Sequence, residues 1–438
     1  MKIETGITLT IDFLANGIKN NTINVHEFYD DIYQKIEKYS AYNIWISILA
    51  KKEVFEKLSS LDKDLPLYGI PFAVKDNIDV LGFPTTAACK EFEYQPKTSS
   101  VVVKQLEDLG AICIGKTNMD QFATGLVGTR SPYGIVKNAY NPNYISGGSS
   151  SGSALAVALG IVCFSLGTDT AGSGRIPAAF NNILGYKPSL GLLSNNGCIP
   201  ACKSLDSISI FAINTSDIER IMQILGNFNP HKKDEKKPIV GVPKEEQLEF
   251  FGNSEYRNIY FQKIEALRSA GYSIQEFDFS PFREVALLLY EGPWVAERLS
   301  SNYDFFENNY DKLLDVIQTI LKKGKAFTAV DFFLYRDKLD LLKQKCDRII
   351  DEIDTIILPT APTIYTIEEV VNNPIELNSN LGYYTNFVNL LELCAYAIPA
   401  GFTQNHLPFG LTIMAKGGKD QELISNTHNH LYATINTI

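Results

Sequence analysis

Histidine is scarce in this chain. The 438 residues hold five, at positions 26, 231, 406, 428 and 430, and none between His26 and His231. None of the five stands in a glycine-rich or strand-end context, and Ser173 lacks the G-x-S-x-G elbow. A Ser-His-Asp hydrolase therefore finds no evident base here. Long apolar runs are missing as well. The longest, Ala154 to Leu166, is broken by Gly160 and Ser165 and is too short to span a bilayer. The opening Met1-Lys2-Ile3-Glu4-Thr5-Gly6 has no positive stretch leading into an apolar block, so no secretory signal is read. Basic charge is in deficit, with 40 Lys and Arg against 50 Asp and Glu. A net charge of -10 argues against nucleic-acid binding, which needs basic patches, but leaves room for one cationic pocket. Seven cysteines are an odd number, and several sit in apolar strand-like surroundings. They read as reduced, buried thiols of a cytoplasmic protein. Cys198 and Cys202 have no second Cys or His pair at ligand spacing, and His428-Asn429-His430 falls on an expected surface helix. No metal and no cofactor are predicted.

What is present is a large apolar complement, 45% of residues, enough to bury a sizeable core in one domain. Residues 8–60 read as helices, with Ile11, Phe13, Leu14 and Ile18, then Phe28, Ile32 and Ile36, at helical spacing. From Leu67 the texture is α/β. Strands are expected at 71–74, 111–115, 161–166, 239–243, 355–360 and 409–415. Helices are expected at 99–109 (Val101, Val102, Leu106 and Leu109 inward), 153–160, much of 255–350, and 419–436. Such alternation implies a sheet covered by helices on both faces. The stretch 231–238, His-Lys-Lys-Asp-Glu-Lys-Lys-Pro, reads as a charged surface connector rather than a domain boundary. The expected layout is one domain over 1–438, with N-terminal helices (1–60), a core (61–230), the connector, and a remainder (239–438).

The chemistry concentrates in two serine-glycine clusters flanking one apolar segment. They are Gly147-Gly148-Ser149-Ser150-Ser151-Gly152-Ser153 and Gly167-Thr168-Asp169-Thr170-Ala171-Gly172-Ser173-Gly174-Arg175. Small residues around a serine leave its hydroxyl beside exposed backbone N–H groups, an arrangement suited to attack on a carbonyl. The N–H groups of Thr170, Ala171, Gly172 and Ser173 are the expected oxyanion donors. Upstream, Lys75 follows the apolar Pro71-Phe72-Ala73-Val74. A lysine titrates at about 10.4 in water, but burial disfavours the ammonium and can convert the group into a base at neutral pH.

Lysine, serine pair and Asp-x-x-x-Ser string in this order resemble the amidase signature family of Ser-cisSer-Lys hydrolases. That resemblance implies the amidase signature fold, a large mixed sheet with helices on both faces. It assigns Lys75 as base, Ser149 as bridging serine with a cis peptide bond, and Ser173 as nucleophile of an acyl-enzyme. Ser150 and Ser151 are expected to support them. Where the family more often has two glycines after the serine pair, this chain has Ser151 in the first place. Three further runs, at 115–132, 199–206 and 290–298, resemble the allophanate hydrolases within that family, most densely over about 65–215. The resemblance implies that Tyr290 and Arg298 bind the substrate carboxylate and that Gly125 adds a backbone contact. A small planar anion suits a bidentate guanidinium. It also implies a homodimer, acting in urea degradation. Longer allophanate hydrolases carry a C-terminal decarboxylating domain, which is expected to be absent here, since Ile438 falls about where the amidase domain should end.

Two rivals remain. Gly110-Ala111-Ile112-Cys113-Ile114-Gly115-Lys116-Thr117 fits the phosphate-loop pattern, yet Ala-Ile-Cys-Ile favours an extended strand over a curled loop. The tRNA-dependent amidotransferase glutaminases share the signature residues.

Overall fold

The computed structural model describes residues 9–226, 228 and 236–436. Its described residues place eleven strands in one mixed sheet. In chain order these are β1 (Trp45–Ile48), β2 (Pro71–Lys75), β3 (Ile112–Thr117), β4 (Phe164–Asp169), β5 (Leu184–Lys187), β6 (Ser207–Ala212), β7 (Val240–Pro243), β8 (Ile274–Phe277), β9 (Thr355–Pro359), β10 (Cys394–Phe402) and β11 (Pro408–Ala415). Their order across the sheet is β1-β3-β2-β4-β6-β5-β10-β11-β9-β7-β8. The contacts β3/β2, β2/β4, β9/β7 and β7/β8 are parallel and the rest antiparallel. The antiparallel pair β10 and β11 lies at the centre and joins the strands of 45–212 to those of 240–359.

The central strands are buried on both faces, and β2, β9 and β11 accordingly read as nearly unbroken apolar runs, while β3, β4 and β6 also bury small polar side chains. The helix Ser151–Ala158 is buried at every position. Its Ser-Gly-Ser-Ala start permits that, because small side chains let a helix lie close against the sheet.

Several expectations need correcting. The first sixty residues are not all helical: helices Ile11–Lys19, Val25–Lys38 and Lys51–Ser60 are interrupted by β1, which pairs antiparallel with β3. The fourth strand starts at Phe164 rather than Ile161. In the helix Val101–Asp108 the inward residues are Val102, Val103 and Leu106, whereas Val101 is 41% exposed because it precedes the buried stripe by a third of a turn. The closing segment is a helix (Asp420–Asn426), a π-helical turn (Thr427–Leu431) and a last helix (Tyr432–Asn436). Strands β5, β6, β8 and β10 were not foreseen. Residues 231–235 of the expected connector lie outside the described residues. The phosphate-loop pattern is resolved against nucleotide binding: Lys116 and Thr117 lie within β3, and Lys116 is fully buried against Asp76, 3.4 Å from its Oδ1. All seven cysteines are free, six of them buried. No described helix is long and apolar enough to cross a membrane.

Candidate active site

Strands β2 and β4 are parallel neighbours, so Lys75 and the segment Thr168–Asp169 emerge together at their C-terminal ends. The serine cluster 149–151 enters the buried helix that packs on both strands. Topology thus gathers three residues spread over 98 positions. Lys75 Nζ lies 2.8 Å from Ser149 Oγ, and Ser149 Oγ lies 3.0 Å from Ser173 Oγ. The Gly148–Ser149 peptide is cis. All three side chains are buried, at 0%, 0% and 2% exposure.

Burial pushes the Lys75 ammonium down to about 7, outweighing the upward pull of Asp120, Asp206 and Asp169. None of those carboxylates forms an ion pair with it among the described residues. Its remaining partners are both oxygens of Thr168, the hydroxyl at 2.8 Å and the carbonyl at 3.4 Å. As an ammonium Lys75 donates to Ser149 and to both Thr168 oxygens; on losing a proton it keeps two N–H groups for Thr168 and frees a lone pair for the Ser149 hydroxyl. Asn77 Nδ2 also donates to the Thr168 hydroxyl, at 3.3 Å. Thr168 and Asn77 were not singled out from sequence, although Thr168 stands inside the second glycine cluster.

The turn after β4 is held by Asp169. Its carboxylate accepts the N–H groups of Gly172 and Gly174, each at 2.9 Å, and a two-pronged ion pair from Arg175 at 2.9 Å on both oxygens. Burial alone would raise this carboxyl, but the Arg175 guanidinium holds it below its ordinary value. The Gly172 N–H is therefore engaged within the turn. Among the described residues, no protein acceptor takes the N–H of Thr170, Ala171 or Ser173. Gly172 has φ +132°, and a Cβ there would stand 2.5 Å from Thr385 Oγ1, so the position demands glycine. The Thr170 hydroxyl donates to Asp206, which also accepts the N–H groups of Ala201 and Cys202. Ser150 Oγ donates to the Thr168 carbonyl at 3.0 Å and Ser151 Oγ to the Asn118 carbonyl at 3.3 Å.

Arg298 lies on the short helix Trp294–Ser300 and is 3% exposed. Pro293 caps that helix one residue before its start. Arg298 Nη1 donates to Thr124 Oγ1 at 3.0 Å and to the Ala123 carbonyl at 3.4 Å. Its guanidinium carbon is 6.0 Å from the centre of the Tyr290 ring. No carboxylate of the described residues pairs with it. Its neighbour Glu297 turns away to the N–H and hydroxyl of Ser204, at 2.7 Å each. An exposed Glu297/Arg298 surface pair is thereby excluded.

Gly125 follows Thr124, and a Cβ at Gly125 would stand 2.6 Å from Asp120 Oδ2. Asp120 holds that loop by accepting the N–H groups of Val127, Gly128 and Arg130, and its own N–H donates to the Ser149 carbonyl. A second buried guanidinium, Arg130, donates to the carbonyls of Thr124 and Pro374. It stands inside the run 115–132 but was not foreseen as a site residue. Beside the relay, a cavity of about 530 Å³ is bordered by Asn77, Thr168, Asp206, Glu297, Ser300 and Ser301.

The Amidase family profile matches residues 24–424. Urea amidolyase of Lachancea kluyveri is 46% identical over 400 residues, covering 87% of this chain and 22% of that protein. The chain thus spans about a fifth of the length of the urea amidolyases it matches. The glutamyl-tRNA(Gln) amidotransferase of Saccharolobus solfataricus has a component that is 31% identical, with 94% of each chain covered. The solved structure of Kluyveromyces lactis allophanate hydrolase superposes with a TM-score of 0.90 at 38% identity, over 98% of this chain and 73% of that one.

Proposed function

This chain belongs to the Amidase family and is an amidase, and on that premise we propose that it hydrolyses allophanate to N-carboxycarbamate and ammonia through a Ser173 acyl-enzyme. Neutral Lys75 accepts the Ser149 proton while Ser149 accepts that of Ser173. Ser173 Oγ attacks the terminal amide carbonyl. The N–H groups of Thr170, Ala171 and Ser173 take the developing oxyanion; Gly172, whose N–H is held by Asp169, drops out of the expected set. The relay returns the proton to the amine, the C–N bond breaks, ammonia leaves, and water hydrolyses the ester. Removing one such donor typically costs about 3–4 kcal/mol of barrier.

The observation that carries the substrate class is Arg298. It is a buried cation without a carboxylate partner among the described residues, held by Thr124 and Ala123 on the loop that contains Gly125. A carboxylate on the substrate completes its valence, with Tyr290 at its side and Gly125 offering backbone approach. The likeness to urea amidolyase and to allophanate hydrolase supports the same choice. Ammonia release from allophanate, malonamate, biuret and glutamine tests it in the parent, Ser173→Ala and Arg298→Ala. Expected are no turnover for the first variant and a raised KM on anionic amides for the second. Equal rates on neutral amides would remove the anchor, and a preference for glutamine would favour the amidotransferase reading.

We also propose that the chain pairs with itself. On the helix Ala329–Ile350, Val330, Phe333, Leu334 and Leu341 are 60–67% exposed. An antiparallel pairing of two such helices, centred between Asp337 and Lys338, covers the leucines and sets these opposite charges across the two-fold axis.

A further inference from the structure

We propose that Asn389, 216 residues beyond Ser173 in sequence, is a positioning residue for the turn that presents the nucleophile and the oxyanion donors. It stands on the short helix Asn386–Leu390 and is 0% exposed. One proton of its amide donates to the Asp169 carbonyl at 2.8 Å and the other to the Leu205 carbonyl at 2.9 Å. Its oxygen accepts Arg175 Nη2 at 3.2 Å. The orientation of the amide is forced, since the reverse would set its oxygen against two carbonyls and its NH₂ against a guanidinium.

The three contacts fall on both supports of the turn. Asp169 and Arg175 grip it from inside through the N–H groups of Gly172 and Gly174. Leu205 adjoins Asp206, which grips it from outside through the Thr170 hydroxyl. Asn389 thus adds a brace between the β4 end and the Leu205–Asp206 loop, beside the Thr170–Asp206 bond and the Asp169/Ser207 register of β4 and β6, and helps to fix the width of the interval in which Thr170, Ala171 and Ser173 lie. The neighbouring Thr385 strengthens the same wall: its carbonyl accepts Arg175 Nη2 at 3.3 Å, and its side chain abuts Gly172. A side chain shorter than that of Asn389 reaches neither carbonyl, and an aspartate, isosteric but without protons to donate, faces two carbonyls with negative charge.

A displacement of the turn by about 1 Å is enough to lower a rate by about 100-fold. Because Arg298 and Tyr290 lie on other segments, substrate affinity is untouched. The loss therefore falls on kcat and not on KM. Lys75 is also untouched, so the pH at which activity half-rises stays where it is in the parent while the plateau drops.

This inference rests on Ser173 being the nucleophile, which the parent enzyme tests by itself: a fluorophosphonate labels Ser173 and the Ser173→Ala variant resists. Given that labelling, Asn389→Asp and the milder Asn389→Ser are compared with the parent in labelling rate, in kcat and KM for ammonia release from allophanate, and in cooperative unfolding. Expected are folded variants in which labelling rate and kcat fall together by about 100-fold, with KM within about twofold and an unmoved acid limb. Folded variants with parental kcat would overturn the proposal. So would a rise in KM matching the fall in kcat/KM, which would make Asn389 a determinant of substrate binding, or a failure of both variants to fold, which would make it a determinant of structure.

Discussion

Replacing Lys75 by methionine should abolish turnover and, at the same time, leave a signature in stability that only a discharged lysine produces. The ordinary lysine value is 10.5 and burial brings Lys75 to about 7. Between these two values the unfolded chain binds a proton that the folded protein does not, so stability rises with pH across that window. Below about 7 both states are protonated and the penalty of the buried charge is fully present. Above about 10.5 both are neutral and it is gone. At about 1.4 kcal/mol per unit, the whole penalty is roughly 5 kcal/mol. About 2 kcal/mol of it should be relieved between pH 7 and pH 9. Lys75→Met has no proton to lose and shows none of this, although it leaves the Ser149 and Thr168 oxygens with fewer partners at a cost of roughly 1–3 kcal/mol. That cost is independent of pH. Urea unfolding of both proteins at pH 6, 7, 8 and 9 isolates the effect, since every other group, including Lys187 at about 8, titrates alike in both and cancels. The gap between parent and variant should be flat from 6 to 7 and then shift toward the parent by about 1 kcal/mol per unit. A gap that stays constant from 6 to 9 would refute the discharged lysine and the relay with it.

The same value sets catalysis: kcat/KM for ammonia release should rise with pH through a single limb near 7 and flatten above it, and a limb below 5 would assign the base to a carboxylate. Ser149→Ala, which interrupts the 2.8 Å and 3.0 Å links, should lower kcat by about 100-fold or more while KM holds, as loss of proton transfer does; the check is steady-state kinetics. Thr168→Val removes one acceptor of Lys75 and should slow turnover by about tenfold, measured in the same way. Leu334→Glu should convert the self-associated protein to monomer in light scattering. The charge-exchanged pair Asp337→Lys with Lys338→Asp should keep it associated.

Both fold and site were legible in outline: the large mixed sheet with its helices was expected and is observed, and the expected Lys75, Ser149 and Ser173 stand together. Two glycine-serine clusters and one lysine after an apolar strand drew attention to Lys75, Ser149 and Ser173, and the family resemblance gave them their expected roles. Resemblance added Tyr290 and Arg298, and no local pattern shows that Arg298 is buried. What escaped was whatever depends on partners distant in the chain. Asn389 sits in Thr-Asn-Phe-Val-Asn-Leu-Leu, which reads as an ordinary helix turn, and its three partners lie 184, 214 and 220 positions away. Arg130 and Asp206 are likewise charges whose meaning comes from packing. The donor role of Gly172 failed for a related reason: an aspartate three residues earlier competes for its N–H, and a turn's internal bonding is not visible in its composition. Strand β1 was missed because Trp45–Ile48 is a four-residue edge strand bounded by helices, too short to show a period of two. Val101 was placed inward because three consecutive valines hide the phase of the helix.

The place of β10 and β11 in the sheet has a consequence for synthesis. As the chain leaves the ribosome, the strands of 45–212 and those of 240–359 emerge with β5 and β9 still unpaired on the side where β10 and β11 come to lie. Only when residues 394–415 appear does the hairpin slot between them. The brace at Asn389 comes out just ahead of that hairpin, so a ribosome stalled before residues 389–415 holds two half-sheets with unpaired edges, the kind of exposed surface that chaperones shield.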